Sequence, residues 1–183
     1  MRTLRWVAVV SLSLIVLAAV SAFGLLHFVR HRVESHAPHL IADNLPETDF
    51  VFHTLDGEEK HLSDFRSRVV FLDLWGTWCL QCVAEMPTVQ RLYDHYRDDP
   101  RVTFLIVSRM DTPDAVRRFA RRGGYTLPFY VMRDQDVPPA MYLQQYPATF
   151  LYTADGLQIA HHAGGADWSD ASVIHRIDSL RPH

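Results

Sequence analysis

A mixed β-sheet with helices on both of its faces is the fold that three features of this sequence predict. The first is the order of elements: a hairpin, then β, α, β, α, then a second hairpin and a last helix. The second is Val69-Val70-Phe71-Leu72-Asp73-Leu74-Trp75, the near-continuous apolar run that a central strand covered on both faces requires. The third is a pair of turn signals, Asp56-Gly57 and Asp155-Gly156, each flanked by strand-type residues. The chain has 183 residues, 48% of them apolar, which is enough for one domain of ordinary size plus a short extra segment. Its formal net charge of −3 gives no basis for a nucleic-acid partner.

From Trp6 to Val29 there is no Asp, Glu, Lys or Arg, and His27 is the only titratable side chain. These 24 residues match the roughly 30 Å hydrocarbon core of a bilayer. Arg2 and Arg5 precede the run, and Arg30-His31-Arg32 closes it. Two readings stand: an uncleaved signal anchor over residues 1–32, or a cleaved signal peptide ending near Val20-Ser21-Ala22. The apolar run continues through Phe23, Leu25, Leu26, Phe28 and Val29, which a cleavable peptide does not need, and this favours the anchor. Either way the rest of the chain is expected on the outer side of the cytoplasmic membrane, where disulfide chemistry is possible.

Residues 33–47 have no periodicity and read as a linker, with the domain expected over 48–183. Phe50 to Thr54 and Glu59 to Leu62 make a hairpin about Asp56-Gly57, and Ser63-Asp64-Phe65 a short helical turn. Val69 to Trp75 is the central strand. Residues 80–98 have helical spacing, with Pro87 expected to kink the helix. Val102 to Val107 is a second buried strand. Thr112 caps a helix with Pro113 at its first position, and Gly123-Gly124 ends it. Phe129 to Met132 is a strand and 138–145 a short helix or loop. Ala148 to Tyr152 and Leu157 to Ala160 form the second hairpin. A last helix is expected to start at Asp167 or Ser169 and run through Leu180.

The two cysteines of the chain, Cys79 and Cys82, stand two residues apart where the central strand gives way to a helix. Such spacing closes no useful entropic loop, so it suggests thiol–disulfide exchange rather than a structural staple. Half a zinc site is the other option. His161-His162 completes a Cys₂His₂ set only at a spacing unlike a finger, so no metal and no cofactor are expected.

The run Trp75-Gly76-Thr77-Trp78-Cys79-Leu80-Gln81-Cys82 resembles the W-x-x-W-C-x-x-C of the thioredoxin superfamily. Its continuation Val83-Ala84-Glu85-Met86-Pro87 and the upstream Asp56-Gly57 hairpin are similar to the TlpA/ResA-type membrane-anchored thioredoxins. Tyr146-Pro147-Ala148-Thr149-Phe150-Leu151, followed by Asp155-Gly156, matches the family's Pro-x-Thr-Phe segment. The resemblance covers roughly residues 45–181 and implies a thioredoxin-like α/β fold. Cys79, at a helix N-terminus whose free N–H groups and dipole stabilise a thiolate, is then the attacking thiol. Cys82, one turn along and the more buried, resolves the mixed disulfide.

The resemblance also implies roles for other residues. Asp73 matches the buried carboxyl that acts on the proton of the second cysteine, and burial raises such a pKa. Glu85, one helical turn beyond Cys82, matches a functional Glu, and its charge raises the cysteine pKa values; a solvated helix carboxylate is the plain alternative. Pro147 matches the superfamily's cis-proline, with Tyr146 offering its backbone to a bound peptide. Trp78 and Trp75 are expected at an apolar rim where substrate docks, Trp75 suiting the core as well.

The implied partners are client proteins with oxidised cysteines, of the apocytochrome c or copper-site type, and a membrane dithiol that supplies electrons. The implied activity is that of an anchored reductase. An oxidase or isomerase is the alternative within the enzyme class, and a thioredoxin-fold copper chaperone the alternative outside it. Leu80-Gln81 departs from the family, which often has proline before the second cysteine, and this leaves the direction of electron flow open. The Pro-x-x-x-Thr-x-x-Cys of a peroxiredoxin is not present.

Overall fold

A computed structural model describes the chain except for residues 1, 35, 47, 138–144 and 183. The elements are α1 (Arg2–Glu34), β1 (Ile41–Pro46), β2 (Val51–Thr54), β3 (Glu59–His61), β4 (Val69–Trp75), α2 (Leu80–Tyr96), β5 (Val102–Arg109), α3 (Pro113–Gly123), β6 (Phe129–Met132), β7 (Ala148–Tyr152), β8 (Leu157–Ala163) and α4 (Ala171–Leu180). Among the described residues eight strands form one sheet in the order β1-β8-β7-β4-β5-β6-β2-β3. The centre is parallel, β4 with β5 and β5 with β6, and both flanks are antiparallel.

The parallel centre explains the apolar run. Every residue of β4 is buried, because successive side chains point to opposite faces and both faces are covered. Val69, Phe71 and Trp75 pack with Val89 and Leu92 of α2, Val116 of α3, and Val173 and Ile177 of α4. Val70, Leu72 and Leu74 pack with Leu105, Val107, Phe52 and Leu62. Among the described residues the three helices α2, α3 and α4 thus share one face. Among the described residues the 3-10 turn Leu62–Phe65 and Val137 pack against the other face. The expected helix or loop at 138–145 lies almost wholly outside the described residues.

Two expectations are corrected. Residues 41–46, expected within a linker, form β1, which pairs with β8 through Ile41↔His161, Ala42↔Ala160 and Leu45↔Gln158. β1 is an edge strand, mostly exposed and broken by a bulge between Ala42 and Leu45, so it carries no alternation to read. Backbone pairing holds it, with Asp43 receiving hydrogen bonds from Gln158 and facing His161. The last helix starts at Ala171 rather than at Asp167 or Ser169. Asp170 is its cap and accepts from the Ser172 N–H, while Ser169 is turned back onto Asp167 by two hydrogen bonds. α3 has the expected cap at Thr112, and Gly124 closes it with a φ of 67°. α2 runs through Pro87.

Candidate active site

The site lies where β4 ends and α2 begins. Cys79 is the N-cap of α2, with extended backbone, and its sulfur accepts the Cys82 N–H at 3.2 Å. The helix thus aims one of its unpaired N–H groups at the first sulfur, where it favours a thiolate once the bond is open. Cys79 and Cys82 are joined as a disulfide. Cys79 retains 8% exposure and Cys82 none, so an incoming thiolate or disulfide reaches Cys79.

The turn into the helix is held by Asp111, just beyond β5. Its carboxylate accepts the Thr77 N–H at 2.7 Å, the Thr77 hydroxyl at 2.6 Å and the Ser108 hydroxyl at 2.6 Å. Trp78 folds back over Gly76, and its indole N–H donates to the Arg109 carbonyl at 3.1 Å. A Cβ on Gly76 would come within 2.4 Å of that indole nitrogen, so only glycine allows the close approach. Trp78 stays half exposed and meets the Tyr146 ring edge-on at 5.4 Å. Trp75 is fully buried between Phe119 and Phe129, with ring centroids at 4.9 and 5.3 Å, so it belongs to the core and not to a rim.

The Tyr146–Pro147 peptide bond is cis, and Tyr146 stands just ahead of the ladder that begins at Ala148. The Pro147 carbonyl is already taken by the Gly164 N–H at 2.8 Å.

Two carboxyls, Asp73 of β4 and Glu85 of α2, lie on the side of the sheet where Cys79 and Cys82 pack, both without exposure. Asp73 is on the strand face of Phe71 and Trp75, the face that α2 covers. It lies opposite Thr149, whose hydroxyl donates to Oδ1 at 3.3 Å, and Oδ2 has no partner among the described residues. Burial pushes the Asp73 pKa up to about 7, and the Thr149 hydrogen bond opposes this weakly.

Glu85 is not a solvated helix carboxylate. Its Oε2 accepts the Trp168 indole N–H at 2.9 Å and the Ala166 N–H at 3.1 Å, and Oε1 has no partner among the described residues. Burial, and then the charge of Asp73, hold the Glu85 proton on well above the ordinary carboxylate range. Thr88, one turn further, accepts the Trp168 N–H at 3.0 Å, so the loop at 166–168 is seated on α2.

Sequence reasoning missed Asp111, Thr149, Ala166 and Trp168. Asp111 read only as part of a helix start. Its place after a parallel strand's C-terminal end, where open α/β sheets hold their sites, was the available signal. Replacing Asp111 by Ala removes three short hydrogen bonds to the active-site turn. The Asp111→Ala protein is expected to lose about 2 kcal/mol in urea unfolding, and its attack on a model disulfide to slow about tenfold as the turn loosens.

The AhpC/TSA family model matches residues 41–160 of this chain. A Geobacillus kaustophilus protein named thiol-disulfide oxidoreductase ResA is 35% identical over 142 residues, which cover 78% of this chain and 79% of that one. The Bacillus subtilis protein of the same name is 30% identical over 116 residues, 63% of this chain and 64% of that one. Among solved structures, the thioredoxin domain of a Bacteroides vulgatus thiol-disulfide oxidoreductase superposes with a TM-score of 0.65 at 18% identity, covering 78% of this chain and 99% of that one. That likeness concerns the fold.

Proposed function

The chain belongs to the AhpC/TSA family, has a thioredoxin-like fold and is a thiol–disulfide oxidoreductase; from that premise we propose that it works as a reductase, tethered by α1 to the outer face of the cytoplasmic membrane. One observation carries the direction of electron flow: two buried carboxyls, Asp73 and Glu85, lie on the α2 side of the sheet, where Cys79 and Cys82 pack. While Glu85 keeps its proton, negative charge on Asp73, whose pKa lies at about 7, opposes a thiolate on either sulfur. It weakens the reduced form relative to the disulfide, and a less stable reduced form is the better electron donor. The dipeptide between the cysteines, Leu80-Gln81, brings no positive charge to reverse this.

In this reading the Cys79 thiolate attacks a client disulfide, and one client sulfur leaves as a thiolate that takes a proton from water. The Cys82 proton passes to the Asp73 carboxylate as Cys82 attacks the Cys79 sulfur; the second client sulfur leaves as a thiolate that is protonated by water, and the Cys79–Cys82 disulfide is restored. Trp78 and the backbone of Tyr146 beside cis-Pro147 form the docking edge for the client segment. The clients are oxidised cysteines of the apocytochrome c or copper-site type, and a membrane dithiol re-reduces the pair.

The apolar stretch of α1 from Val9 to Glu34 is long enough to cross a bilayer, and Arg2 and Arg5 on its N-terminal side support a cytoplasmic N-terminus. The test is the reduction potential of the Cys79–Cys82 couple in a redox buffer, with insulin reduction as the activity. A potential near ~−270 mV or lower, and activity lost in Cys79→Ser, is the expected result. A potential near ~−120 mV makes the protein an oxidant and overturns the direction. Stoichiometric copper binding without insulin reduction makes it a chaperone.

A further inference from the structure

The last turns of α1 do not hang free of the domain. Leu26 and Val29 are half-buried and Val33 is 5% exposed, a stripe spaced i, i+3, i+7 along one helix face. Leu26 lines a cavity with Thr77, Val83, Arg118 and Arg122. Val33 lies so close to Gly165 that a Cβ there would come within 2.8 Å of it, and with Gln81 these two line a second cavity. The Asp167 N–H donates to the His36 carbonyl at 2.8 Å. Leu26 and Val33 therefore hold the end of α1 near the start of α2, beside Gln81, one of the two residues between the cysteines, while His36 is tied to the loop at Asp167.

This contact sets where a bilayer can lie. The stretch Trp6 to Gly24 spans about 28 Å at ~1.5 Å per residue, enough for the hydrocarbon core. The braced turns then lie outside that core, with Phe23, Leu25 and Phe28 exposed at the boundary. α3 comes to the same place, since Arg118 and Arg122 share the Leu26 cavity. Arg118, Arg121 and Arg122 are exposed, and none has a carboxylate partner among the described residues. Arg117, on the same helix, is by contrast paired with Asp114 and Asp56. Arg118 and Arg122 thus stand at the point where the anchor meets the domain, and Arg121, exposed like them, lies between them on the same helix.

We propose that Arg118, Arg121 and Arg122 rest on the anionic headgroups of the bilayer that α1 spans, and that with the α1 brace they hold the dithiol edge at the membrane surface. The proposal rests on α1 being a membrane anchor. The occupant it commits to is an anionic lipid surface, because the patch is cationic and continuous with the anchor's exit. The consequence is selectivity: the site meets disulfides and dithiols carried at the surface far more often than those in bulk solution.

The test uses the full chain in vesicles of phosphatidylcholine alone or mixed with phosphatidylglycerol. Exchange is measured with a disulfide peptide attached to a lipid and with the same peptide free. In a Trp6→Phe background that leaves Trp75, Trp78 and Trp168, a quencher on the headgroups reports on Trp78, which is half exposed while the other two are fully buried. On anionic vesicles Trp78 is expected to be quenched, and the quenching to fade with salt. In Arg118→Gln/Arg121→Gln/Arg122→Gln the quenching is expected to be lost and exchange with the lipid-borne peptide to fall about tenfold, with the free-peptide rate unchanged. The matching triple Lys variant is expected to behave as the native chain. Loss in the Lys variant as well, or no loss in the Gln variant, overturns the proposal. Protein that fails to float with the vesicles overturns the anchor reading itself, whereas flotation without dependence on lipid charge overturns only the seating.

Discussion

At pH 8 the oxidised Asp73→Asn protein is expected to be more stable than the native chain by about 4 kcal/mol, and at pH 4 the two are expected to differ by less than about 1 kcal/mol. The folded state raises the Asp73 pKa from 3.8 to about 7, because burial disfavours the carboxylate. Between those values the folded chain keeps a proton that the unfolded chain has released. Stability is therefore complete below the unfolded pKa and falls as pH rises through the folded one, at about 1.4 kcal/mol per pH unit. Asn keeps the shape and can accept from the Thr149 hydroxyl, so the substitution removes the titration without opening a cavity. Urea unfolding across this pH range measures the difference, and parallel stability curves would show that Asp73 is ionised in the fold throughout. The same substitution removes the proposed proton acceptor for Cys82. Stopped-flow is expected to find the mixed disulfide longer-lived by about a hundredfold, with first attack by Cys79 not slowed. The stability gain and the loss of resolution have one cause, a carboxyl kept in the core against its own solvation.

How far the sequence alone reveals this site depends on how local each signal is. The dithiol at a helix start is written in eight consecutive residues, and β4 in seven, because a strand covered on both faces leaves no polar positions except where chemistry needs one. Asp73 stands out for that reason. Glu85 was legible as a position one turn past Cys82, but not as a buried group. Its burial depends on Trp168 and Ala166, which reach α2 from a loop 81 and more residues away. Thr149 is legible only once β4 and β7 are in register. β1 was missed since an exposed, bulged edge strand is specified by backbone pairing, which leaves no periodic trace in side chains. The α3 arginines acquire meaning only when α1 is seen lying against Thr77 and Val83.

Glu85→Gln is expected to stabilise the oxidised protein at pH 8 relative to the native chain, and the gain is expected to shrink as pH falls toward 4, because the folded state holds the Glu85 proton on above the ordinary carboxylate range. Urea unfolding across that pH range measures it. The Glu85 proton is held first by burial and then by the charge of Asp73, so stability falls as pH rises through the raised pKa. Gln is isosteric with the protonated acid and can accept from both the Trp168 indole and the Ala166 N–H, which keeps the 166–168 loop seated. Glu85→Ala loses those bonds and is expected to be destabilised by about 3 kcal/mol instead. The two carboxyls repel, and each single substitution relieves that repulsion in full. The gain of the double variant Asp73→Asn/Glu85→Gln is therefore expected to fall short of the sum of the single gains at pH 8. Strict additivity in that cycle would mean that the carboxyls titrate independently. A shortfall would mean that Glu85 guards the Asp73 charge: while Asp73 carries it, Glu85 stays neutral, and the dithiol faces one buried negative charge rather than two.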